Sequence, residues 1–250
     1  MINIGYDLLA EVAVKKINFC KKLKFSYFIS STLAGLFVGL CVITILVMAS
    51  MLNDFAGIKI LQGISFAAAL SLVVFAGAEL FTGNVFVMLA GILMKTIKTR
   101  DALILLLICY IGNFIGSIFI ASLFWGTGYL KDFVLLAARD MIFAKTAPLI
   151  SELFVRGILC NILVCLATWC VYRMQSESGK LVMIFWAIYL FVVCGFEHSI
   201  ANMTLFSLGI IKGTIGLMPM VVNLVTVTAG NILGGVLLSL AYWSIGRKTP

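Results

Sequence analysis

The chain has 250 residues, of which 63% are apolar and 11% charged, with a formal net charge of +8. Soluble domains run at about 45–50% apolar and about 25% charged, so a compact soluble fold is excluded and the chain is an integral membrane protein of one domain, two at most. Long unbroken apolar runs speak for helices over a β-barrel, and nucleic-acid binding is excluded because the basic residues sit at the ends of those runs, where they set topology.

Residues 1–24 lack the apolar core and small-residue cleavage site of a secretory signal. They predict an amphipathic helix, with Ile4, Leu8, Leu9, Val12 and Ile17 opposed to Lys15, Lys16, Lys21, Lys22 and Lys24, lying on an anionic leaflet. A mobile basic tail is the alternative. The apolar runs that follow are Phe25–Leu52, Ile60–Met94, Ala102–Trp125, Leu153–Tyr172, Leu181–Ile211 and Leu217–Ile245. A bilayer core needs about 20 helical residues. Ile60–Met94 and Leu181–Ile211 are too long for one straight span and too short for two, so each is expected to be one broken crossing. Six crossings put both termini on one side. That side holds 12 of the Lys and Arg residues (Lys15, Lys16, Lys21, Lys22, Lys24, Lys95, Lys98, Arg100, Arg173, Lys180, Arg247, Lys248) and the other 6 (Lys59, Lys131, Arg139, Lys145, Arg156, Lys212). The termini are therefore expected in the cytoplasm. The expected plan is one transmembrane domain over 1–250: a cytoplasmic N-terminal helix (1–24), repeat one (25–125), an external loop (126–152) and repeat two (153–245). Seven cysteines, none in a CxxC, read as small apolar residues of the spans.

The repeats emerge on shifting the sequence by 118 residues. Gly39 then meets Gly157, Gly77 meets Gly195, Glu79 meets Glu197, and Asn84 meets Asn202. Gly112, Asn113 and Gly116 meet Gly230, Asn231 and Gly234, and Trp125 meets Trp243. Each repeat holds three crossings, so the copies insert in opposite senses, as an all-α inverted repeat with paired broken helices at mid-membrane. The breaks read GAELFTGN (77–84) and GFEHSIAN (195–202). Ionisable groups at that depth are functional candidates. Glu79 and Glu197, being symmetric, are expected to accept hydrogen bonds from backbone N–H groups freed at the breaks. His198, the sole histidine, is matched by Leu80 and so marks the specialised site. Asn84, Asn113, Asn161, Asn202 and Asn231 are expected to support the broken helices, and Gly112, Gly116, Gly230 and Gly234 to allow close helix packing. Lys145 alone reads as an interfacial lysine.

GAELFTGN, FAKTAPLISELFVRGILCNILVCLATW (143–169), GFEHSIANMTLF (195–206) and NLVTVTAGN (223–231) resemble the formate/nitrite transporter family, over nearly the whole chain. The stretches around Lys145 and His198 look most like its nitrite-channel branch; hydrosulfide-conducting relatives share the core motifs. The resemblance implies an aquaporin-like protomer in a homopentamer in the inner membrane, one pore each, passing a small monovalent weak-acid anion. It gives Thr82 the place of the family's first-break threonine, His198 that of the central histidine, and Lys145 that of the outer-vestibule lysine. Phe66, Leu70, Leu80 and Phe191 take those of apolar constrictions on either side of the histidine. Phe66 and Leu70, four apart, share a helical face. In this scheme Lys145 concentrates the anion at the mouth, Thr82 orients it, and His198 donates a hydrogen bond or a proton. No cofactor, metal or catalytic residue is expected. The alternatives are a hydrosulfide channel of the same family and, in another class, an aquaporin-like neutral-solute channel, against which stands the lack of paired Asn-Pro-Ala boxes. A single histidine excludes HExxH zinc chemistry, and no GxSxG occurs. Sequence does not separate a channel from a proton-coupled carrier.

Overall fold

A computed structural model describes residues 2–52 and 55–247. Lys248 and the side chains of Ile4 and Arg247, used above, lie outside what is described. The protein is a multi-pass, all-helical membrane protein. Five of its helical stretches are long and apolar enough to cross a bilayer: Lys24–Met51, Ile58–Phe75, Thr99–Gly126, Ile150–Arg173 and Leu217–Gly246. Large apolar side chains such as Leu103, Leu107 and Val225 stand on their outer faces, more than half exposed. In water such faces would be a liability; in lipid they are ordinary.

In chain order, α1 (Ile2–Lys22) leads into α2 (Lys24–Met51). α3 (Ile58–Phe66) and α4 (Ala68–Phe75) join through Ala67, which keeps right-handed helical angles. The chain then leaves the helix over 76–80 and re-enters it as α5 (Phe81–Leu93). α6 (Thr99–Gly126), α7 (Asp132–Thr146) and α8 (Ile150–Arg173) follow. α9 (Glu177–Val193) ends in a second interruption, 194–198, before α10 (Ser199–Ile211) and α11 (Leu217–Arg247). At 13 residues each, α5 and α10 reach only about 20 Å. Each is nearly all buried, flanked by the long helices.

Two expectations change. α1 does not lay its apolar face on lipid. Leu9, Ala13, Ile17 and Cys20 are buried against the protein, and the Tyr6 hydroxyl pairs with Ser239 Oγ of α11 at 2.8 Å. Burying that stripe on a matching protein surface excludes both water and lipid. It also places α1 beside the C-terminal half of α11. The segment 126–152 is likewise not a plain loop: α7 buries Val134, Ala137, Ala138 and Ile142, largely in a small cluster with Leu46, Ala121 and Leu208.

The long helices pack closely at the expected glycines. A Cβ at Gly116 would collide with the Thr32 carbonyl of α2, and one at Gly234 with the Ile158 carbonyl of α8. Gly234→Val should therefore lower the melting temperature of the detergent-solubilised protein, with overpacking costing about 1–3 kcal/mol or more. Gly126→Ala, where an added methyl meets open space, should leave the melt unchanged.

Candidate functional site

The two interruptions are built alike. Gly77 and Gly195 take φ of +71° and +69°, angles that turn the chain and that a side chain would strain. Restarting a helix leaves N–H groups without partners. Asn113 Oδ1 accepts the Phe81 N–H at 3.0 Å, and Asn231 Oδ1 the Ser199 N–H at 2.9 Å. The same amides donate back: Asn113 Nδ2 to the Glu79 and Ser31 carbonyls (2.9 and 2.7 Å), Asn231 Nδ2 to those of Glu197 and Gly157 (2.9 and 2.8 Å). The backbone N–H groups of Glu79 and Glu197 donate to the carbonyls of Ser30 and Arg156. These equivalences correct one sequence match. Asn113 and Asn231 reach Ser31 and Gly157, which are 126 residues apart, so Gly157 stands where Ser31 does and not where Gly39 does. The 118-residue offset holds from the breaks onward; the first helices run eight residues out of step with it.

The glutamate side chains do not cap the backbone, contrary to expectation. Asparagine does that without bringing in a charge. Glu79 holds Lys16 Nζ at 2.6 Å through both oxygens and accepts from Asn84 Nδ2 at 2.8 Å. Glu197 holds Lys145 Nζ at 3.1 and 3.0 Å and accepts from Asn202 Nδ2 at 2.7 Å. A buried carboxylate demands a counter-charge and further hydrogen bonds, and each glutamate has both. Lys16 comes from α1 and Lys145 from the last turn of α7. Lys145 is thus an ion-pair partner, with its own carbonyl held by Asn223 Nδ2 at 2.7 Å. Burial, the largest single effect, would pull Lys16, outside the spans, below its ordinary 10.5, but the charge and hydrogen bond of Glu79 together with Tyr172 and Cys109 outweigh it and the net shift is upward. This stabilisation is present below pH 10.5 and fades only as pH rises through the higher folded value.

Sequence reading missed Lys16, Tyr27, Asn223 and the backbone support of Thr82 by Cys165. Lys16 was visible in principle: it interrupts the buried stripe Leu9, Ala13, Cys20 at helical spacing. The Tyr27 hydroxyl oxygen accepts from Asn84 Nδ2 at 3.2 Å. Asn161 Nδ2 donates to the carbonyls of Thr82 and Asn231 at 3.2 and 2.6 Å, and Cys165 Sγ approaches the Thr82 carbonyl at 3.6 Å.

His198 is the N-cap of α10. Its Nδ1 accepts the Ala201 N–H at 3.2 Å, which assigns the proton of the neutral ring to Nε2, 3.0 Å from Thr82 Oγ1. Nε2 therefore donates to Thr82, and the threonine hydrogen is left to point elsewhere. Phe191 stacks on the imidazole at 6.0 Å and meets Phe66 edge-on at 5.9 Å.

Two cavities flank this contact. One, of about 290 Å³, is lined by Lys145, Glu197, Asn202, His198, Phe66 and Phe191 among others. The second, of about 260 Å³, is lined by Lys16, Glu79, Asn84, Leu70 and Leu80 among others. They share no lining residue. Phe66 and Leu70, one turn apart on α3–α4, thus belong to different cavities. His198 faces one cavity from the position at which Leu80 faces the other. The arrangement offers a hydrogen-bonding centre between apolar walls, with a compensated cation beyond each wall.

A family model described as Formate/nitrite transporter matches residues 5–244. The nitrite transporter NirC of Salmonella typhimurium is 38% identical over 228 residues, covering 89% of this chain and 84% of its own length. The formate channel FocA of Haemophilus influenzae is 34% identical over 203 residues, covering 71% and 70%. Among solved structures, an FNT family ion channel superposes with a TM-score of 0.91 at 35% identity, over 98% of this chain and 99% of that one. A pentameric formate channel with formate bound gives 0.79 at 28% identity, over 91% and 99%.

The ion pairs predict a specific mutational pattern. Lys145→Met strands the buried Glu197 and should destabilise by about 3–5 kcal/mol, whereas Glu197→Gln strands the part-buried Lys145 and should cost less. The double variant should melt closer to wild type than either single. Additive losses in a double-mutant cycle of melting temperatures would contradict the coupling.

Proposed function

The chain belongs to the formate/nitrite transporter family, and we propose that it passes a small monovalent weak-acid anion, formate or nitrite, across the cytoplasmic membrane. In this reading six crossings form two inverted repeats, each with one broken helix, and each protomer of a homopentamer holds its own pore. Both termini face the cytoplasm. The 12-to-6 division of basic residues supports this, as does the docking of α1 on α11.

The observation that carries the reading is the pair of Lys–Glu–Asn trios, one per cavity, with Thr82 and His198 between them. Lys145, its charge balanced by Glu197, offers an anion in the first cavity a hydrogen-bond donor. Beyond it, Phe66 and Phe191 strip water, and on the far side Leu70 and Leu80 do the same. Desolvation disfavours the charged form of an acid, so a weak acid is driven to take up a proton there, a route closed to the anion of a strong acid. Thr82 and His198 replace the lost water. With Nδ1 engaged by Ala201, His198 serves as a hydrogen-bond donor through Nε2. Giving up that proton would require a new one at Nδ1 and the loss of the helix cap. Proton coupling then resides in the substrate acid, with the histidine presenting the site at which the acid forms.

The test is uptake of formate and nitrite, with hydrosulfide as comparison, into liposomes holding the purified oligomer under an imposed inward proton gradient. Wild-type uptake should rise with the gradient, and His198→Phe should lose most of it while the oligomer stays intact. Wild-type uptake by a well-assembled His198→Phe protein would overturn the role of the histidine.

A further inference from the structure

A third cavity, of about 190 Å³, lies off the path through Thr82 and His198, between α1 and the start of α6. Lys21, Lys24 and Asp101 line its polar end, and Cys20, Ile104 and Ile108 its apolar end. Asp101 stands in the first turn of α6, with Ile104 and Ile108 one and two turns farther along the span. Lys21 Nζ holds Asp101 Oδ2 at 2.6 Å. Lys24 is exposed and has no ion pair among the described residues. The notch therefore joins one uncompensated positive charge to an apolar bed.

Its surroundings face lipid. Ile104, Leu107 and Ile111 recur at helical spacing and all stand exposed, so this side of α6 belongs to the outer surface of the bundle. At the joint between α1 and α2, Leu23 and Phe25 are more than half exposed and alternate with the exposed Lys22 and Lys24. Apolar side chains set among lysines at the end of a span are the composition of an interfacial anchor. The notch thus opens at the level of the headgroups, on the side of α1. A neighbouring copy has little negative charge to bring to Lys24 there, because Asp101 and Glu177 are already held by Lys21 and Lys180. Anionic headgroups supply it throughout a leaflet.

We propose that this notch binds one anionic phospholipid from the leaflet beside α1, with its phosphate on Lys24 and Lys21 and an acyl chain over Ile104 and Ile108. A long lysine stem can lie along apolar surface while its ammonium stays at the headgroup level, which suits this position. A zwitterionic headgroup would bring its own cation against Lys24 and gain less from it. The bound lipid touches α1, α2 and α6 together. Lys16, which holds Glu79, lies five residues before Lys21 on α1, so the lipid fastens the helix that delivers the lysine of the inner trio. The inference rests on the multi-pass arrangement and is independent of which solute permeates.

The test is the melting temperature of the full-length oligomer, delipidated in a neutral detergent, titrated with phosphatidylglycerol, phosphatidylcholine or glycerol phosphate. Phosphatidylglycerol should raise it saturably, and the other two should not. Lys24→Gln should raise the half-saturating phosphatidylglycerol concentration about fivefold, while its lipid-free melt, the side chain being exposed, stays at the wild-type value. Lys24→Arg, which keeps the charge, should titrate near wild type, and Ile104→Gln should weaken the response by roughening the bed of the acyl chain. Lys15→Gln removes the same charge from a part of α1 that does not line the notch, and should titrate as wild type. An equal response to phosphatidylcholine overturns the inference, and so does an equal response to glycerol phosphate, which would make the notch a site for free anions. A shift as large in Lys15→Gln as in Lys24→Gln would show diffuse attraction to charge and no site. A change of oligomer size in lipid-free Lys24→Gln would make the surface a contact between copies.

Discussion

A helix that stops inside a bilayer leaves polar backbone groups with no water to take them. The rest of this structure depends on how two such stops are satisfied. Asn113 and Asn231 each use one side-chain amide to receive the first N–H of the restarting helix and to bind two carbonyls of the preceding chain. Both amides are fully buried. A hydrogen bond left unmade there would cost about 1–3 kcal/mol per group. With these joints secured, the chain can hold unwound segments inside the protein, and side chains on those segments become available to line the two cavities.

The second constraint is charge. Each interruption carries a carboxylate, and each carboxylate is neutralised by a lysine from a helix outside the membrane-crossing set, α1 in one case and α7 in the other. Those two helices are therefore parts of the site. Placing the lysine on an appended element keeps it out of the apolar spans, where it would be expensive to insert. Equal construction on both sides makes the one inequality informative. Where one cavity has leucine, the other has a histidine that caps a helix through one nitrogen and meets the Thr82 hydroxyl through the other.

Much of this was legible in the sequence. Rare polar residues in apolar surroundings are conspicuous, so the duplicated Gly, Glu and Asn positions located both interruptions, and the lack of a counterpart singled out His198. What could not be read was pairing. Which amide meets which backbone group depends on three-dimensional approach, and so asparagine did the work expected of the glutamates. Lys16 looked like one of several lysines on a solvated face, because a basic stretch hides a single lysine turned inward. The true alignment of the first helices, Ser31 with Gly157, was masked because α2 runs farther than α8 and its link to α3 is longer than that from α8 to α9, and neither leaves a mark on a motif search.

The uninterrupted join between α3 and α4 has a mechanical consequence. Ala67 keeps helical angles, with its N–H on the Gly63 carbonyl, so Ile58–Phe75 is one stiff rod. Phe66 and Leu70 project from the same side of that rod, yet each narrows a different cavity. A roll of the rod swings both in the same sense, as two cams on one shaft. Opening one constriction while the other stays shut is therefore not a motion this rod can produce alone. That freedom belongs to the facing walls, Phe191 and Leu80, which sit on separate segments and can move independently.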